Sequence, residues 1–183
     1  MDSSLTGQLL VAAPVLDDPN FHRVIVFVLD HDEDGALGLV LNRATDTPLD
    51  DAIDGWSDLA AFPGVMFSGG PVDPTSIVAL GSSVDVASEG ETTITHGIRL
   101  VDLDADPVLA TTEMDHIRVF IGYAGWAPEQ LEEEIDQGAW IVVDAEPFDV
   151  FTPDPDGLYH AVLRRQEGDL RLLSTFPADP SLN

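Results

Sequence analysis

The sequence predicts an α+β fold on a mixed β-sheet, and three observations carry that reading. Short β-branched apolar runs occur before, between and after only three or four helical segments. The connections among the first three runs are too short for crossover helices, which argues against a repeating parallel strand–helix–strand pattern. A chain of 183 residues, 44% apolar, fits one domain spanning 1–183 with one substantial core.

Residues 8–15 (QLLVAAPV) and 23–30 (RVIVFVLD) read as buried strands, with Asp18-Pro19-Asn20 turning the chain between them. Residues 36–42 (ALGLVLN) form a third strand. It is joined to the second by DHDEDG, a hairpin in which Gly35 supplies the positive φ. DDAIDGWSDLAAF sets Ala52, Ile53, Trp56, Leu59 and Ala60 at helical spacing, although Gly55 weakens a continuous helix. GVMFSGGPV reads as a strand ending at Gly69-Gly70-Pro71, with SIVALG as its partner. Residues 82–115 combine a surface loop (SSVDVASEGE), a strand from His96 to Val101 and a short helix from Pro107 to Met114.

HIRVFIG is a strand, with Ile117, Val119 and Ile121 on one face and His116, Arg118 and Phe120 on the other. The following GYAGW reads as a glycine-bracketed aromatic turn, leading to a helix from Pro128 to Gln137 that Gly138 stops. AWIVVDA is a further strand. DPDGLYHAVLRRQ is a last helix, with Asp154 as N-cap, Pro155 at the first helical position, and Arg164 and Arg165 at the negative end of the dipole.

Charge and missing residue types exclude whole classes of chemistry. The chain carries 34 Asp plus Glu against seven Arg and no Lys, a formal −27. Such a field repels phosphate backbones over a Debye length of about 8 to 10 Å, so direct nucleic-acid binding is not expected. It solubilises the surface, or it suits a basic partner or a cationic ligand. Without Cys there is no thiolate nucleophile, disulfide or zinc-thiolate site. Without Lys there is no P-loop lysine, no pyridoxal Schiff base and no lipoyl or biotin attachment point. The start, MDSSLTGQLL, shows no signal-peptide pattern, and no segment reaches the roughly 18 apolar residues of a membrane span. The predicted compartment is the cytosol.

Candidate sites are few. Glu129 and Glu132 lie in the first turns after GYAGW and already complement the helix dipole, so that terminus is a poor anion cradle. Glu132, Glu133 and Glu134 are read as a solvated face, since neighbours about 100° apart cannot converge on one ion. DHDEDG matches half of a calcium loop. Its twelfth position is Leu41, where a bidentate Glu is required, so it is read as a solvated hairpin tip. No histidine pair has metal-ligand spacing, and Ser68 before Gly69-Gly70-Pro71 lacks the helix of a nucleophile elbow. No catalytic residue, metal ligand or cofactor is therefore assigned.

The polar pair Asn42-Arg43 stands out, because Arg is scarce and one that follows an apolar strand must find a partner or solvent. The structural expectation pairs Arg43 with Asp46 or Asp50. The functional one sets it at a cleft built from LNR, SGGPV and GYAGW, with Asn42, Arg43, Gly69, Gly70, Tyr123, Gly125 and Trp126 as ligand-binding candidates. Glycines permit close backbone approach, and Arg, Tyr and Trp are the types enriched at binding hot spots.

Four segments carry a resemblance: GQLLVAAPVLDDPNFHRVIVFVLDHDEDGALGLVLNR, FSGGPVDP, RVFIGYAGWAPEQLEEEIDQGAWIVVDA and FPADPSLN. In that order, across nearly the whole chain, they resemble the YqgE/AlgH family of bacterial proteins. The resemblance implies a compact α+β domain with a bent, partly closed sheet and flanking helices. The family is largely uncharacterised, and some members carry the label of transcriptional regulator. This chain departs from the pattern at Val24, where the family commonly has Ser, at Ala44, where Pro is usual, and in lacking Lys. Three readings follow: a non-catalytic domain binding a small ligand or protein partner, a transcriptional regulator acting through a protein partner, and a metal-assisted hydrolase. The sequence assigns neither an oligomeric state nor a partner's identity.

Overall fold

The computed structural model describes residues 4–83, 93–95 and 97–177. Most of the SSVDVASEGE loop, His96 and the end of FPADPSLN lie outside the described residues. The strands are β1 (Gln8–Ala12), β2 (Ile25–Asp32), β3 (Gly35–Val40), β4 (Ala44–Pro48), β5 (Val65–Ser68), β6 (Val72–Ser83), β7 (Thr93–Thr95), β8 (Ile98–Leu100), β9 (Met114–Trp126) and β10 (Trp140–Asp144). The helices are short: α1 (Leu49–Ala52), α2 (Pro107–Ala110), α3 (Gln130–Asp136), α4 (Pro147–Val150), α5 (Leu158–Arg164) and α6 (Asp169–Leu173).

The fold is α+β, as expected, on a mostly antiparallel sheet in the order β10-β1-β2-β3-β9-β6-β8-β7. The parallel pairing of β5 with β9 makes the sheet mixed. Among the described strands β10 and β7 end the path without pairing to each other, so the sheet is open. Its bends are local, at register shifts in β2 between Val28 and Asp30 and along β6.

Strand alternation sorts the core by face. Leu9, Val11, Ile25, Phe27, Leu39, Leu41 and Phe120 pack on Val150, Leu158, Tyr159, Val162 and Leu163 from α4 and α5. On the other face, Leu10, Val26, Val28, Val40 and Ala124 pack with Trp126, Leu131 and Trp140. Farther along, Ala79, Ile117 and Val119 meet Leu49, Trp56, Leu59 and Ala110. These faces match the alternation read from HIRVFIG.

Several elements differ from expectation. GYAGW is the end of β9 and not a turn. Along one edge β9 pairs with β5 at Phe120 and Ile121, then with β3 from Ala124 to Trp126, and Gly122 sits at the changeover with φ 72°. There a Cβ would stand 2.5 Å from the Gly70 carbonyl oxygen. Gly122→Ala is accordingly expected to cost at least about 2 kcal/mol in urea unfolding, combining the left-handed penalty with the clash. β6 is not the partner of β5, because β9 lies between them. The helix expected around Trp56 is broken, with Gly55 at φ 86° separating α1 from a 3-10 turn at Ser57–Leu59. Asp154 caps a turn by accepting from the Gly157 N–H, and α5 begins only at Leu158, so Asp154 is not the helix N-cap. α6 follows α5, which is therefore not the last helix.

Candidate functional site

LNR, SGGPV and GYAGW meet through their main chains. The Val40 N–H donates to the Gly69 carbonyl, the Ser68 N–H to the Arg43 carbonyl and the Gly69 N–H to the Ile121 carbonyl. Gly69 and Gly70 leave no room for a Cβ against the backbones of Gly122 and Tyr123 respectively. Asn42 pins β3 to β2: its Oδ1 accepts from the Ile25 N–H and its Nδ2 donates to the Arg23 carbonyl. Arg43 donates to the Pro19 carbonyl at 3.1 Å, and among the described residues it forms no ion pair with Asp46 or Asp50.

The two rings are not brought together. Tyr123 packs against the Phe120 side of the sheet, whereas Trp126 is buried on the opposite side, stacked on Phe21 and edge-on to Trp140. Gly125 lies opposite Leu37 and is exposed. The junction is thus a shared backbone crossing, with Arg43 as its charged rim.

The glutamates of α3 divide: Glu133 is exposed as expected, whereas Glu132 and Glu134 are half-buried and bonded to other elements. Glu134 Oε2 accepts from both indoles, Trp126 Nε1 at 2.9 Å and Trp140 Nε1 at 2.8 Å, which satisfies the polar edges of two buried rings. Glu132 accepts from His31 Nε2 at 2.7 Å, and His31 Nδ1 in turn accepts from the Leu5 N–H. Hydrogen bonding, first with backbone and then with His31, holds the Glu132 carboxyl below its usual range. The DHDEDG segment is the expected hairpin tip, with Asp32 opposite Gly35 and the Asp34 N–H bonded to Asp32 Oδ1.

Three polar arrangements, two buried and one half-buried, escaped the sequence reading. The Arg118 guanidinium, 2% exposed, donates to the carbonyls of Val150, Thr152 and Phe62 and lies 4.2 Å from the Phe67 ring centroid. Burial pulls its pKa down to about 10. Asp149, fully buried, makes a two-pronged pair with Arg165. Arg23 stacks 4.7 Å over the Tyr159 ring and donates to His160 Nε2, while His160 Nδ1 donates to the Ser174 carbonyl.

Tyr159 donates its hydroxyl to the Ala12 carbonyl, and burial raises its pKa above 10.0 against the opposing pull of Arg23. A raised folded-state value means that this contribution is fully present below pH 10 and is lost as pH rises through the folded pKa. Relative to Tyr159→Phe, the parent chain should therefore lead by about 1 kcal/mol near neutrality. That lead should shrink above pH 10 in parallel urea titrations.

Among the described residues, no group of three or more His, Asp or Glu is placed to hold a metal ion. The opening of most consequence is apolar. A trough of about 650 Å³ is lined by Ile53, Ile77, Ala79, Leu100, Leu103, Asp102 and Asp104 among others. A smaller recess of about 220 Å³, lined by Trp56, Arg99 and Met114, shares Leu100, Val101 and Asp102 with it. The Val101 N–H donates to the Ala79 carbonyl, and Trp56 Nε1 donates to the Leu103 carbonyl, so both walls are tied to the core. Ile77 and Leu100 remain 47% and 41% exposed within it. The sequence placed both residues on strands, but only the pairing of β6 with β8 reveals their common opening.

A family model described as AlgH-like (DUF179) matches residues 9–171. The chain belongs to the AlgH-like family. It is 52% identical to a UPF0301 protein of Streptomyces avermitilis, covering 99% of this chain and 96% of that one. It is 40% identical to a UPF0301 protein of Mycobacterium ulcerans, covering 97% and 90%. Among solved structures, a Corynebacterium diphtheriae protein superposes with a TM-score of 0.88 at 33% identity, covering 96% and 94% of the two chains. The solution structure of the AlgH protein from Pseudomonas aeruginosa follows with a TM-score of 0.68 at 28% identity, covering 97% and 96%. Both structures share the fold, and no helix among the described residues is long and apolar enough to cross a membrane.

Proposed function

We propose that this AlgH-like chain is a non-catalytic, cytosolic binding domain for a protein or small-molecule partner, with the Ile53–Ile77–Leu103 trough as its principal surface. The supporting observation is an open apolar trough of about 650 Å³, within the roughly 300–1,000 Å³ of typical ligand sites. The groups best suited to chemistry are engaged elsewhere: His31, His160, Arg118 and Asp149 are each bonded into the framework. Action in transcription would run through the same partner contact, since a −27 chain repels duplex DNA. The metal-assisted hydrolase reading finds no support in the described residues.

A second surface is favoured by one specific observation. Among the described residues Arg43 makes a single side-chain bond, to a carbonyl, and so keeps a guanidinium at the junction in a chain with 34 acidic residues. Asn42, Gly69 and Gly70 lie with it against the β9 backbone at Tyr123, whereas Gly125 lies farther along β9 opposite Leu37 and Trp126 is buried on the other face. Titrating the isotope-labelled chain with fractions of cell extract separates the two surfaces. Shifts at Ile53, Ile77 and Leu103 support the trough, and shifts at Arg43, Gly70 and Tyr123 support the junction. Silence at both, with a response elsewhere, sinks the binding-domain reading at these sites.

A further inference from the structure

We propose that the trough is the docking site for a basic, apolar-anchored segment of a partner protein. The inference rests on the binding-domain reading and adds the chemistry of the occupant. The trough presents exposed Ile77 and Leu100, with Ile53 and Leu103 half-buried beside them. Apolar surface that stays solvated on tethered walls is stabilised when an apolar side chain displaces the water.

Charge selects the occupant. Asp102 and Asp104 are exposed on the lining, and Asp106 and Glu113 line the adjoining recess. Arg99, the one cation among the described residues lining either opening, is already 3.4 Å from Glu113. Asp102 and Asp106 accept from the backbone N–H groups of Asp104 and Val108, which orients them and leaves their charge uncancelled. The rest of the molecule reinforces this local field, because the whole chain carries −27. A second copy would bring another −27 against the same acids, and an acidic or neutral peptide would forgo the steering that the field provides. Apolar side chains spaced to enter the trough, flanked by Lys or Arg reaching Asp102 and Asp104, satisfy both features at once.

The test uses the full chain and three synthetic peptides of one length. One has leucine and lysine at helical spacing, the second replaces lysine by glutamate, and the third replaces leucine by serine. Binding is followed by methyl NMR. The leucine–lysine peptide is expected to shift the Ile53, Ile77, Leu100 and Leu103 methyls, and both other peptides to bind at least about tenfold more weakly. Ile77→Ser, a change at a half-exposed position, is expected to weaken the first peptide about tenfold while the amide spectrum away from the trough stays unchanged. Equal binding of the leucine–lysine and serine–lysine peptides, with shifts scattered over acidic surface, would overturn the proposal as mere charge attraction. Equal binding of the glutamate peptide would overturn the basic character of the partner. Unmoved trough methyls with every peptide would likewise overturn it. In each of these cases, a trough response to extract fractions would leave the broader binding-domain reading standing.

Discussion

Arg118→Met is expected to destabilise the chain by about 4–5 kcal/mol in urea unfolding, one of the two largest effects predicted for a single substitution here. The side chain is 2% exposed and sits on β9, yet its bonds go to carbonyls outside the strands, Phe62 on one side and, on the other, Val150 at the end of α4 and Thr152 just beyond it. Those carbonyls are outside the strand ladders, so the guanidinium supplies donors that the main chain does not. Methionine would fill much of the volume over Phe67 and take the donor from the carbonyls of buried Val150 and Thr152 and from the part-buried Phe62 carbonyl, at about 1–3 kcal/mol for each one that water cannot reach. Among the described residues no carboxylate pairs with the buried charge, and burial draws its pKa down to about 10, so the fold keeps this cation at a real desolvation cost. Retention despite that cost points to the clamp itself. Arg118→Lys is expected to restore only part of the loss, because one ammonium cannot span carbonyls on two separate segments. Hydrogen exchange should quicken around residues 61–63 and 150–152 in both variants. Unchanged stability in Arg118→Met would show that the loops hold their places without the clamp.

Arg118 also shows how far the sequence could be read. Alternation set it on the same face of HIRVFIG as Phe120, and the structure agrees, with that face buried at both residues. What alternation could not supply was the partner set, because Phe62 and Val150 are remote in sequence and offer only carbonyls, which leave no trace in residue type. Strands with β-branched runs were legible from local pattern, as β1, β2, β3 and β10 show. β9 was cut short in the reading because Gly122 and Gly125 look like loop residues. In the fold Gly122 lets one strand change neighbours while Gly70 approaches its backbone. α4, four residues long, falls below the length at which periodicity carries a signal, whereas α2 starts at Pro107 as expected and is shorter than read.

The candidate site divides along the same line. Close backbone approach at Gly69, Gly70 and the end of β9 was legible from glycine placement, since only residues without a Cβ fit there. The directions of Tyr123 and Trp126 follow from their odd spacing once both lie on one strand, but a turn was read there and the alternation was not applied. Glu134 was read as solvated because its partners are indole N–H groups from β9 and β10, which only the folded arrangement brings to one carboxylate. The trough needed the pairing of β6 with β8, a long-range fact with no local signature.

The Asp149–Arg165 pair carries the second large expected effect. Asp149 is fully buried at the first turn of α4, where one carboxylate accepts from both guanidinium nitrogens at 2.6 Å and from the Glu146 N–H at 2.7 Å. That last bond is half of a capping box, so the same carboxylate starts the helix and holds α5 against it. The hydrogen bond to Asp149 is the main reason that the Arg165 pKa is raised. Removing one partner of such a pair costs about 3–5 kcal/mol, because the other is left charged and desolvated. The two single variants should nevertheless differ. Asp149→Ala leaves Arg165 with 22% side-chain exposure, the Asp144 carbonyl and Glu146 at 3.8 Å. Arg165→Ala leaves a carboxylate with no exposure at all. Arg165→Ala is therefore expected at the upper end of that range and Asp149→Ala at the lower. The double variant should cost less than the sum of the two, with a coupling of about 1.5 kcal/mol or more in a urea double-mutant cycle. Additive single costs would show that the pair's short distances contribute no net interaction, and that capping alone explains the loss at Asp149.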